Sequence, residues 1–210
     1  MNGHASTLAK LINYARETAR WEATMGLLEW DERTYLPAEG GEFRADQITL
    51  LSGLIHRRRT APEYGAWLEE LATVKELMDD PHTDAATTIR QLKRQYEKLV
   101  KLPHDLVEEL ARTSVLGQQA WVEARKNDDF ARFAPLLTRQ IELKQQQADA
   151  LGWTACRYDA LLDDYEPDES TENVRRVLSG LREALVPLVE AIIGSGIEAP
   201  LEVVQRHYPR

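Results

Sequence analysis

LLEWDERTYLPAEGGEFRADQITLLSGLIHRR, running from Leu27 to Arg58, is the stretch whose reading decides the fold. It reads as two helices joined by a corner. Trp30 and Asp31 fall at the end of a segment with helical apolar spacing, Leu36-Pro37 imposes the extended geometry preferred before proline, and Gly40-Gly41 frees the backbone to turn. A second helix then opens with Glu42 in its first turn and closes on Arg57, Arg58 and Arg59, the charge order that suits the helix dipole. Trp30 is expected to be largely buried where the two helices meet, so that Trp30→Ala would cost about 3–5 kcal/mol. Asp31 beside it is placed to orient Arg33 or Arg44, as a satisfied ion pair rather than a catalytic group.

Upstream, Leu8, Ile12, Ala15, Ala19, Ala23, Gly26 and Trp30 recur at steps of three or four, one long helix whose buried stripe is mostly small side chains. Downstream, Thr60-Ala61-Pro62-Glu63 reads as a capping box that opens a third helix to about Asp79, where Asp80-Pro81 ends it. A fourth helix from Asp84 to Lys101 turns Ile89, Leu92, Tyr96 and Leu99 inward. A fifth starts at Pro103 and runs to about Lys126, followed by a turn at Asn127-Asp128-Asp129. Phe130 and Phe133 anchor a short segment, Pro135 permits a new start, and the helix from there ends at Gly152. After a short helical piece from Tyr158 to Asp163, Ser170 or Thr171 caps a last long helix through Val174, Leu178, Leu181, Leu185 and Leu188 to Gly194, which Pro187 should bend or interrupt. Leu201 to Tyr208 reads as the start of another helix. No segment alternates as a half-buried strand does, and no repeat is visible. The expected fold is all-α, an irregular antiparallel bundle of about seven to eight helices in one domain spanning 1–210.

A hydrophobic fraction of 43% and a charged fraction of 29% are those of a globular protein rather than a disordered chain. A formal charge of -9 argues against a general nucleic-acid binder, which needs a basic face to displace counterions from phosphates. The one concentrated positive run, His56 to Arg59, reads as a solvated helix C-terminus. The single cysteine, Cys156, cannot form an internal disulfide, which points to a reducing compartment. Without a leader or an apolar run of membrane-spanning length, the expected location is cytoplasmic, with no membrane partner.

The pattern LLEWD, three residues, YLP, a glycine-containing turn and a helix with R-A-x-Q-x-x-L-L-S resembles the N-terminal region of the carboxypeptidase Taq family of zinc-dependent metallocarboxypeptidases, which are built almost wholly of helices. AWVEARKNDDFARFAPLL (Ala120 to Leu137), IELKQQQADALGW (Ile141 to Trp153) and YDALLDDYEPDEST (Tyr158 to Thr171) resemble the same family in the same order, so the likeness covers essentially the whole chain. It implies a role in removing C-terminal amino acids from peptides, zinc or another divalent metal in the full-length enzyme, and a homodimer.

A zinc peptidase of that kind uses H-E-x-x-H on a helix, two histidines one turn apart holding the metal and the glutamate acting as general base. His4, His56, His82, His104 and His207 are followed by Ala5, Arg57, Thr83, Asp105 and Tyr208, so none begins the motif. The resemblance places that motif in the C-terminal half of the family, beyond Arg210, and no catalytic, metal or cofactor residue is carried over. His104 and Glu108 share a helix face and could be half a metal site, against the simpler reading of an exposed polar pair. Asp163, Asp164, Glu166, Asp168 and Glu169 lack the glycine and ligand spacing of a calcium loop and read as a solvated turn. Cys156 reads as a small buried residue, its thiol activated only if Arg157 meets it. Gly-x-Ser-x-Gly and the phosphate-binding glycine patterns are absent.

Two functional expectations follow. One is the groove wall and lid of a metallocarboxypeptidase whose catalytic half is missing, the chain alone being inactive; the abrupt end at Pro209-Arg210, without cap or polar tail, reads as a cut. The other is a stand-alone helical module that self-associates or binds a partner and catalyses nothing. If the resemblance is right, a missing half or a second copy is expected to cover apolar surface, with Leu11, Trp21 and Leu27 on the first helix and Val177, Val186 and Ile193 on the last as the candidate faces; a monomer without such a patch would favour the stand-alone module.

Overall fold

A computed structural model describes residues 2–197 together with Leu201, Gln205 and His207. Among them are nine α-helices and no strand: α1 (Asn2–Thr34), α2 (Gly41–Arg59), α3 (Pro62–Ala72), α4 (Lys75–Met78), α5 (Asp84–Leu99), α6 (His104–Asn127), α7 (Phe130–Leu151), α8 (Asp159–Leu162) and α9 (Thr171–Gly194), with a 3-10 turn over Ala38–Gly40. The all-α expectation holds. Backbone packing divides the chain into two compact units, Met1–Leu161 and Leu162–Arg210.

In the first unit α2 lies along α6 and α6 along α7, while α1 packs on α2 and α3, and α3 on α5. One core joins α1, α3 and α5 through Leu11, Tyr64, Leu68, Leu71 and Ile89. Tyr14 stacks on Tyr64 with ring centres 5.3 Å apart, and its hydroxyl donates to the Arg58 carbonyl at 3.1 Å. A second core joins α2 and α6 through Ala45, Ile48 and Val115, with Leu28 of α1 against it. Small α2 residues at Ala45 and Gly53 let α6 approach; a Cβ on Gly53 would collide with the Glu108 side chain.

The α1 stripe is displaced from its expected register. Leu11 is fully buried and Thr18 nearly so, whereas Ala19, Ala23, Gly26 and Trp30 face outward. Leu11, Thr18, Met25 and Glu32, at steps of seven, run along the inner line instead. Thr18 tolerates burial because its hydroxyl donates to the Tyr14 carbonyl at 2.9 Å. Trp30 is 53% exposed, leaning on Tyr35 at the surface, so the expected burial is wrong. Leu11 likewise leaves the set of free faces, and Trp21 is half-buried; only Leu27 remains exposed there.

Other local expectations change for identifiable reasons. Thr60 is not an N-cap: Pro62 occupies the first turn of α3, Ala61 precedes it, and the Thr60 hydroxyl donates back to the His56 carbonyl at 2.8 Å, closing α2. The third helix stops at Ala72, and α4 resumes it after Thr73-Val74. Pro135 lies inside α7 rather than at its start, because Asp129 caps the helix earlier by accepting from the Arg132 N–H at 3.2 Å. Pro187 does not interrupt α9. Ser170 caps α9, accepting from the Asn173 N–H at 3.2 Å. Gly40 and Gly41 have φ of -80° and -61°, open to any residue; what Gly41 supplies is room, since a Cβ there would strike the Gln119 side chain. The helix expected from Leu201 to Tyr208 falls mostly outside the described residues.

Candidate functional site

Two polar clusters of the first unit are built where α2 meets its neighbours and bring together the residues singled out in the sequence. The first is the α1–α2 corner. Arg44, 9% exposed, donates through Nη2 to Asp31 Oδ2 at 2.7 Å, through Nη1 to the Leu28 carbonyl at 2.6 Å, and through Nε to Gln47 Oε1 at 3.0 Å. The expected Asp31–Arg44 pairing is therefore formed, and Arg33 instead lies 3.8 Å from Glu32. Arg44, not Trp30, fastens the corner.

Beside that corner the end of α1 and the middle of α6 leave a cleft. A cavity of about 300 Å³ is lined by Glu32, Arg33, Leu36, Pro37, Gln118, Gln119 and Glu123 among others, and one of about 170 Å³ by Glu29, Glu32, Arg33, Ser52, Ser114 and Gln118. The Glu32 side chain is 4% exposed. Burial raises its carboxyl above the ordinary carboxylate range, Arg33 and Arg44 pull it back down, and Glu29 adds to the rise. The Gln119 amide nitrogen is buried without an acceptor.

The second cluster is the run from His56 to Arg59, which is not a solvated helix end. His56 is 7% exposed with Nε2 3.1 Å from the Leu102 carbonyl, and its ring stacks on His104 at 5.8 Å. Arg57 Nη1 reaches His104 Nε2 at 2.5 Å. Arg58 donates to Glu17 at 3.0 Å and lies 4.1 Å from the centre of the Tyr14 ring; Arg59 donates to Glu22 through Nε and Nη2 at 2.5 and 2.8 Å and to Gln95 at 3.1 Å. Each arginine thus ties α2 to another helix.

His104 and Glu108 do meet, Nε2 to Oε1 at 3.1 Å, yet Arg57 crowds the same nitrogen, and Nε2 can accept from Arg57 or donate to Glu108 but not both. A guanidinium against the ring is a poor neighbour for a metal, and no group of three or more His, Cys, Asp or Glu among the described residues is placed to hold one. The zinc that the resemblance implies does not fit these residues. The acidic run is a self-bonded turn leading into α9: Asp163 accepts from the Asp168 N–H at 3.1 Å, and Glu169 from the Ser170 N–H and Asn173 Nδ2 at 2.8 and 2.7 Å. Cys156 is half-buried rather than buried, and Arg157 is paired with Asp149 at 2.9 Å.

Burial lowers the His56 pKa, His104 and Arg57 lower it further, and the Leu102 carbonyl opposes them. The folded chain therefore favours neutral His56, while the unfolded chain takes up a proton near pH 6.5. Stability should therefore be complete above that pH and fall as pH drops toward the folded-state value. Urea unfolding at pH 7.5 and 5.5 should show the loss, and His56→Gln, which keeps an N–H for Leu102, should shrink it; an undiminished loss in the variant would move its origin elsewhere.

Comparison with known proteins places this geometry in a family. The carboxypeptidase Taq (M32) metallopeptidase family matches residues 10–210. Thermostable carboxypeptidase 1 of Thermus thermophilus is 35% identical over 208 residues, covering 95% of this chain and 41% of that protein. Among solved structures, BsuCP superposes with a TM-score of 0.86 at 27% identity over 98% of this chain and 41% of that one. The M32 carboxypeptidase from Deinococcus radiodurans R1 does so at 0.74 and 31% over 92% and 38%. The chain spans about two-fifths of the length of the curated relatives it matches.

Proposed function

Because the chain belongs to the carboxypeptidase Taq (M32) metallopeptidase family, we propose that it forms the helical wall and lid of the groove that admits a peptide C-terminus in a zinc-dependent metallocarboxypeptidase. The observation that carries this reading is the continuous match across nearly the whole chain against only two-fifths of each relative. The chain contributes shape and packing; the H-E-x-x-H chemistry is not encoded in its 210 residues, so hydrolysis belongs to the remaining part of the enzyme.

The character of α9 supports the same reading. Leu178, Leu181, Leu185, Leu188 and Ile192 form one stripe and Val177, Val186, Val189 and Ile193 lie off it, and all are exposed. An apolar surface that extends well beyond one stripe suits a helix enclosed within a larger core better than the narrow seam of a two-helix contact. The occupant is then the rest of the enzyme, with self-association as a homodimer an additional expectation and the cytoplasm the proposed location. No helix among the described residues is long and apolar enough to cross a membrane.

The purified chain, given an N-blocked peptide with zinc or cobalt, should release no C-terminal amino acid above a mock purification. Chelator-sensitive release by this chain alone would overturn the division of labour.

A further inference from the structure

The cleft at the α1–α2 corner contains a carboxylate that the intrachain contacts leave incompletely paired. Glu32 sits in the last turn of α1 on the inner line of that helix, and it lines both cavities. Its ion pair with Arg33 Nε is 3.8 Å long, outside hydrogen-bond reach, and the Arg33 side chain is 64% exposed. Arg44 is close enough to act on Glu32 electrostatically, but its N–H groups are directed to Asp31, Leu28 and Gln47. A carboxylate at 4% exposure, without a charge-assisted hydrogen bond to either arginine, is costly to bury until a donor reaches it.

We propose that this cleft binds a guanidinium or primary ammonium group, anchored on the Glu32 carboxylate. The sign of the surroundings agrees: Glu29 lines the smaller cavity and Glu123 the larger, against Arg33 as the one cation lining either. The volumes, about 300 and 170 Å³, accommodate the head and part of the stem of a basic side chain. An organic cation with several N–H donors suits this set better than a metal ion, because no three ligating side chains converge there. The proposal does not depend on the metallopeptidase reading, and either can fail alone.

The test uses the full 210-residue chain at constant ionic strength, titrated with ethylguanidinium and with an acetyl-Ala-Arg-Ala amide peptide and followed by NMR. Ethylurea and the citrulline peptide, of the same shape without charge, are the controls. Saturable shifts at the corner residues are expected with a cationic probe and not with its neutral partner. Glu32→Gln should weaken binding roughly tenfold or more, the size of a lost charged hydrogen bond, while the exposed Glu63→Gln should bind as the parent. Glu32→Asp, which keeps the charge but withdraws it, should fall between. Binding of ethylguanidinium identifies a site open to free small cations; binding of the peptide alone identifies one that reads a basic side chain on a polypeptide. Failure of both probes, equal binding of the neutral analogues, or undiminished binding in folded Glu32→Gln would overturn the proposal.

Discussion

Leu11→Ala should destabilise the chain by about 2–5 kcal/mol, the range for emptying a fully buried leucine site. Leu11 is completely inaccessible and joins α1 to Tyr64, Leu68 and Leu71 of α3 and Ile89 of α5, so its removal leaves a cavity bounded by three helices that cannot all collapse into it. Trp30→Ala, by contrast, removes a side chain that is half in water, and should fall within about 1 kcal/mol of the parent. Urea unfolding of the pair checks both. A larger loss for Trp30→Ala would restore the tryptophan as the pivot of the corner and contradict the register of α1 described above.

Arg44→Ala should cost roughly 2–4 kcal/mol, since hydrogen bonds to a charged group contribute about 1.5–3 kcal/mol each and solvent replaces part of the loss. Two of its N–H groups reach across the corner to α1 and a third holds Gln47 on α2, and Asp31, the partner left behind, is 35% exposed and can be hydrated. Asp31→Asn should cost less, because the Leu28 and Gln47 contacts survive. Equal losses for the two would assign the whole effect to the ion pair, and a near-neutral Arg44→Ala would remove Arg44 as the fastening of α1 to α2.

The helices could be read because their boundaries are written in local chemistry. Ser170 before α9, Gly152 after α7 and Pro103 before α6 all act within a few residues of chain. What was not local was misread. On α1, Leu8, Ile12 and Ala15 do stay half-buried, with Leu8 against the core, but beyond them the inner line passes through Thr18 and Met25 rather than Ala19 and Ala23, a choice made by α3 and α2, far along the chain. The same ambiguity hid Glu32. Glu29, Asp31 and Glu32 look alike in sequence, and it is a register shared with Leu11, Thr18 and Met25 that sets Glu32 against both cavities, while Glu29 lines one and Asp31 pairs with Arg44. The run from His56 to Arg59 looked like a solvated terminus because its partners, Glu17, Glu22, Leu102 and His104, are distant in sequence. The heptad from Leu11 to Glu32 is the signal in the sequence that marks this register against the alanine stripe.

The most direct measurement is a hybrid in which this chain replaces the corresponding stretch of Thermus thermophilus thermostable carboxypeptidase 1, leaving the remaining three-fifths or so of that protein unchanged. The account predicts a hybrid that melts cooperatively and releases C-terminal amino acids from peptides in a chelator-sensitive reaction, while the chain alone and the remainder alone do not. A hybrid that folds and binds metal yet shows no such release would contradict it.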